Sequence, residues 1–133
     1  MADFPNAVEV VTLFVDDIAA TKAFYQAAFN PHEVYADAVS SVLKFDGLMI
    51  NLLQSTEAPQ LVEPIPVAAA RSGARALFTI KVADVDAVHA ELQRRGVVFL
   101  NGPIDRPWGR RTAAFADPSG HAWEIAQELP QNA

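Results

Sequence analysis

Few side chains in this sequence are placed to do chemistry, and those that are stand alone in apolar runs. Glu124 is the single carboxylate in Ala122–Ala126 (AWEIA), and Asn51 the single amide in Leu48–Leu53 (LMINLL). A carboxylate among apolar neighbours can anchor a cationic ligand or accept a proton as a general base, because desolvation favours its neutral form. It can equally be a structural group paired with Lys81 or an arginine. Pro107-Trp108-Gly109 puts a large aromatic ring in a loop, suited to stacking on a flat ligand or to packing on the sheet or a second subunit. Arg110 and Arg111 follow, and strand alternation points one of them inward, toward Glu124 or an acidic ligand. The three histidines, His32, His89 and His121, fall at a loop, a helix border and a turn. None has a partner at helical ligand spacing, so they read as structural or exposed. With no cysteine, thiolate nucleophiles, disulfides and cysteine-based zinc sites are excluded.

The elements that position these groups occur twice. Val8–Val15 reads as a strand, Asp17 as an N-cap, and Ile18, Thr21, Tyr25, Ala28 and Phe29 share one helical face before Asn30-Pro31 ends the helix. Phe78–Gly96 repeats the pattern with Asp84 as the cap, Val85, Val88 and Leu92 as the buried stripe, and Gly96 just past the end. Three short strands follow each helix: Glu33–Ala36, Val39–Phe45 and Leu48–Gln54, then Val97–Leu100, Arg111–Ala116 and His121–Gln127. Asp46-Gly47 reads as a hairpin turn and Asp117–Gly120 as a longer one. The plan is α+β: one domain over 1–133, with a βαβββ module at 8–54, a linker or lid at 55–74 and a second module at 75–127. The linker is proline-rich, and Val67–Arg71 is expected to make one helical turn.

The repeat separates the two faces of each strand. Matching Val15 with Val82, an offset of 67 residues, puts Val11, Leu13, Val15 and Phe78, Ile80, Val82 on a wholly apolar face against the helices. Val10, Thr12, Phe14 and Leu77, Thr79, Lys81 take the other face. Matching Asn51 with Glu124, an offset of 73, puts Leu48, Ile50, Leu52, Trp123 and Ile125 in the core. Met49, Asn51, Leu53 and Ala122, Glu124, Ala126 then join the mixed face. An apolar wall with a few fixed polar groups is the usual form of a small-molecule site. The expected ligand contacts are Glu124, Asn51, Phe14, Thr12, Thr79, Trp108, Arg111 and Met49, with no firm catalytic residue beyond Glu124 if the protein is an enzyme.

A chain of 133 residues that is 51% hydrophobic can bury a core. A net charge of −6 without a basic run argues against nucleic acid and anionic membranes. No stretch is long enough to span a bilayer, and Met1–Ala7 lacks a signal peptide's basic and apolar regions, so a soluble cytoplasmic protein is expected.

The sequence resembles the vicinal oxygen chelate superfamily of glyoxalases, bleomycin-resistance proteins and extradiol dioxygenases. The resemblance lies in VTLFVDDIAATKAFY at 11–25, RPWGRRTAAFADPSGHAWEIAQ at 106–127 and the duplicated βαβββ plan. It implies a U-shaped sheet around a ligand cleft, commonly completed by a homodimer. It also implies a divalent metal held by one residue from the first and last strand of each module. Those positions fall on Val10, Asn51, Leu77 and Glu124, two of which are aliphatic and cannot coordinate. The resemblance therefore points to a metal-free, cofactor-free, bleomycin-resistance-like branch that binds an antibiotic or an aromatic or cationic metabolite. The alternative is a superfamily isomerase or lyase using Glu124 as base or metal ligand. A third reading is a regulatory module whose dimer surface matters more than its cleft.

Overall fold

A computed structural model describes residues 4–130. Met1–Asp3, the start of the segment read above for a signal peptide, and Gln131–Ala133, the end of the expected domain, lie outside the described residues.

The first module runs β1 (Val10–Val15), α1 (Ile18–Ala28), β2 (His32–Ala36), β3 (Ser40–Phe45) and β4 (Leu48–Gln54). The short α2 (Pro59–Val62) lies in the connection. The second module runs β5 (Leu77–Lys81), α3 (Val85–Arg94), β6 (Phe99–Arg106), β7 (Arg110–Ala116) and β8 (Ala122–Glu128). Each module makes one four-stranded sheet, in the orders β1-β4-β3-β2 and β5-β8-β7-β6. In both, the first strand lies parallel to the last and the other pairings are antiparallel. This is the expected α+β plan of two βαβββ modules.

Local chemistry explains why the copies fold alike. Asp17 and Asp84 are extended residues whose carboxylates accept the Ala20 and Ala87 amides at 3.0 and 3.1 Å, satisfying donors that a helix start leaves free. α1 buries Thr21, Tyr25 and Ala28, and α3 buries Val85 and Leu92. Gly96 takes a left-handed φ of +93° as the chain leaves α3, where a side chain would be strained.

One core serves both modules. Leu13, Val15, Leu43, Ile50 and Leu52 from the first sheet join Ala113, Phe115, Trp123 and Ile125 from the second. Phe45 stacks on Trp123 with centroids 5.7 Å apart, and Phe29 lies 5.9 Å from each. The two sheets therefore turn their helix-covered faces toward each other, and the faces carrying the isolated polar groups point away from this core.

Several boundaries differ from expectation: β1 starts two residues late at Val10, β2 one early at His32 and β3 one late at Ser40. β6 begins later than Val97 and runs on to Arg106, because Gly102 lets it lie against β7: a Cβ there would sit 2.4 Å from the Thr112 carbonyl oxygen. β7 starts at Arg110, one residue early, and β8 at Ala122, one late. In the connection the helical turn expected at Val67–Arg71 is a 3-10 turn at Ala70–Ser72, with another at Ser55–Glu57. Pro59 opens α2, and Pro64 and Pro66 cannot donate the amides that would extend it.

Candidate functional site

The register brings the isolated polar residues together in matching pairs. Thr12 lies across from Asn51 on β1 and β4, and Thr79 across from Glu124 on β5 and β8. Thr79 Oγ1 donates to Glu124 Oε1 at 2.9 Å. Asn51 Nδ2 donates to Thr12 Oγ1 over a longer 3.4 Å, and Asn51 Oδ1 is buried without a partner. No cation pairs with Glu124 among the described residues, so the structural salt bridge weighed above is not formed.

Around the pairs the wall is apolar or small. Val10 and Leu77 are 36% and 53% exposed, outside the helix-packed core, and cross-strand from Met49 and Ala122. Ala114 flanks Glu124 on β7. Each pair thus stands on a half-open wall of its own sheet.

Two expected contacts lie elsewhere. Arg111 shares the helix-side face of β7 with Ala113 and Phe115, and bonds Asp86 of α3 at 3.0 Å and Asp105 at 2.8 Å. It does not reach the mixed face. The neighbouring Arg110 takes that face and pairs with Glu128 at 2.7 Å. The strand phase is set by Phe115, which lies buried across from Trp123, and Phe115 had no assignable face from sequence. Trp108 projects at the β6–β7 turn, 68% exposed, with the Arg106 guanidinium 6.0 Å from its ring centre.

Between β1, the start of β5 and the β7–β8 turn lies a cavity of about 250 Å³. Thr12 and Phe14 line it from β1, Phe78 and Ala122 from the second module, and residues 68–70 and 73–76 close it from the connecting segment. Asn51, Met49, Thr79 and Glu124 do not line it.

A buried polar network behind this cavity escaped the sequence reading. The Asp117 side chain is fully buried. Its Oδ2 accepts from Tyr25 Oη at 2.6 Å, and Trp123 Nε1 donates to that same Tyr25 oxygen at 2.9 Å. Its Oδ1 accepts from the Ser119 and His121 amides, and His121 Nδ1 lies 2.9 Å from Oδ2. Thr21 and Ser119 hydroxyls meet at 3.0 Å. Burial by itself would push the Asp117 carboxyl up, but hydrogen bonds from His121 and Tyr25 outweigh it and hold the group below its ordinary value. Burial pushes the Tyr25 phenol far up, and the Asp117 charge adds to it. The signal was present: Asp117 and His121 are four apart across a Pro-Ser-Gly turn, a spacing that brings two side chains together without a helix.

The residues at the four metal positions do not make a chelating set. Val10 and Leu77 have no donor atom, and Asn51 and Glu124 sit on different sheets. No cluster of three or more His, Cys, Asp or Glu among the described residues could hold a metal ion.

Comparison with known proteins agrees with this architecture. A protein of Mycobacterium bovis described as uncharacterized is 27% identical over 124 residues, spanning 88% of this chain and 80% of the relative. A Nocardioides glyoxalase/bleomycin resistance protein/dioxygenase superposes with a TM-score of 0.85 at 20% identity, covering 99% of this chain and 89% of its own. TnmS3, an antibiotic binding protein from a Streptomyces species, gives a TM-score of 0.70 at 25% identity, covering 96% and 99%. The family model of the Glyoxalase/Bleomycin resistance protein/Dioxygenase superfamily matches residues 7–125. With two βαβββ modules observed and nearly the whole chain matched, the protein belongs to the glyoxalase/bleomycin resistance protein/dioxygenase superfamily.

Proposed function

We propose that this chain is a metal-free cytoplasmic binding protein that sequesters a cationic ligand bearing an aromatic or apolar body, such as an antibiotic. The observation that carries the reading is Glu124. Its carboxylate takes one hydrogen bond from Thr79, has no cationic partner among the described residues, and stands on a wall of Leu77, Ala114 and Ala122. A positive group docking there gains a charge-assisted hydrogen bond, and the wall receives its apolar part. The likeness to TnmS3 supports this class of ligand. The open walls also support a homodimer, in which a second copy covers exposed Val10 and Leu77 and completes the site.

Calorimetric titration with metal-free bleomycin, a cationic aromatic probe, tests the reading alongside light scattering for oligomeric state. Saturable binding by a dimer is expected, weakened about tenfold in Glu124→Gln by loss of the charge. Absence of binding across a panel of cationic aromatic compounds, or retention of stoichiometric zinc, nickel or iron on purification, refutes it. The same free carboxylate oxygen suits a general base, so turnover of a carbon acid abolished by Glu124→Gln would move the protein to the isomerase or lyase class.

A further inference from the structure

We propose that the cavity under residues 68–76 is a second ligand site, separate from the Glu124 wall, that takes a small apolar carboxylic acid through Arg75 and His121. The lining sets the charge it accepts. Arg75 and His121 line the cavity and no Asp or Glu does, in a chain with sixteen acidic and ten basic residues. Arg75 has no hydrogen-bond or ion-pair partner among the described residues. In contrast, Arg94, Arg95, Arg110 and Arg111 are each held by a carboxylate. An uncommitted guanidinium on an otherwise acid-free wall is a carboxylate receptor, with a planar fork matched to two oxygens.

His121 supplies the second contact. Its Nδ1 faces buried Asp117, which Tyr25 and two backbone amides hold in place, so the ring is oriented from behind. Nε2 has no partner among the described residues. The ligand arrives as its carboxylate and accepts from Nε2–H when the ring carries a proton on each nitrogen, the second one taken from solvent, with Nδ1 turned to Asp117. Phe14, Phe78 and Ala122 receive the apolar part. At about 250 Å³ the space suits one ring with its carboxylate, below the range of drug-sized pockets.

Titration of the full chain with benzoate, using benzamide as its uncharged twin, tests the assignment. Benzoate is expected to bind saturably and benzamide at least about tenfold more weakly, the worth of one charge-assisted contact. Arg75→Gln, at an exposed position, should lose a similar factor. His121→Asn keeps an amide donor for Asp117 but removes Nε2, the nitrogen that would meet the carboxylate, and should lose as much. Glu124→Gln should leave benzoate affinity unchanged, which separates this site from the cationic-ligand wall. Absence of saturable benzoate binding, equal affinity for benzamide, or full affinity in Arg75→Gln overturns the proposal. Those results would leave the Glu124 reading standing.

Discussion

The two modules share a topology and part company at two places. At the centre of the outward wall the first holds a neutral pair, Thr12 with Asn51, and the second a charged one, Thr79 with Glu124. Between the last two strands the first has the short Asp46-Gly47 turn. There a side chain on Gly47 would meet nothing. The second has Asp117–Gly120, buried enough that a Cβ on Gly120 would lie 2.8 Å from the Ala70 carbonyl oxygen. Duplication kept the strands, the caps and the apolar stripes, which any copy of the fold requires. It let the polar groups diverge, and in the second module they tie the last turn to α1 and set it against the connecting segment.

The largest predicted effect breaks the turns apart. Asp117→Ala strips an acceptor from the Tyr25 hydroxyl, the His121 ring and two amides, and should cost about 3 kcal/mol in denaturant unfolding. Asp46→Ala, at an exposed turn, should cost under about 0.5 kcal/mol. Comparable losses would mean that the second turn has no special role.

A pH series comes next. Burial disfavours the Asp117 carboxylate, yet its hydrogen bonds leave the folded-state pKa lowered. Its stabilising contribution is therefore fully present above the unfolded value of about 3.9 and disappears as pH falls through the lower folded value. Wild type should lose stability over that acid interval more steeply than Asp117→Asn in thermal melts. Parallel profiles would count against an ionised Asp117.

The smallest effect sharpens the contrast between the polar pairs. Asn51→Leu removes a buried oxygen that has no partner and should leave stability unchanged or raise it by up to about 1 kcal/mol. It should not touch binding of a cation at Glu124. A clear destabilisation would show that Asn51 has a partner in solution, such as a bound water or a ligand.

Much of this arrangement could be read from residue order. The offsets of 67 and 73 hold residue for residue, because strand pairing puts Thr12 across from Asn51 and Thr79 across from Glu124. Asp17 and Asp84 cap as expected, since a carboxylate ahead of an amphipathic run has few other roles. What stayed hidden depends on contacts far apart in sequence. The inward turn of the two helix-covered faces rests on Phe29, Phe45 and Trp123 meeting across modules, which no local period encodes. The face taken by Arg111 turned on a one-residue phase in β7. The role of His121 needed the carboxylate that orients it to be recognised as buried. No helix among the described residues is long and apolar enough to cross a membrane, in keeping with the hydropathy along the chain.

The hydrogen bond from Tyr25 to Asp117 joins a phenol in the first half to a carboxylate in the second. A polypeptide severed near Gly73 would leave one fragment with an orphaned hydroxyl beneath a bare aromatic surface. The other would keep a carboxylate still bonded within its own turn but stripped of the phenol that covers it. Neither piece is a self-sufficient folding unit, so the pair should regain structure only when mixed, by complementation rather than by independent refolding.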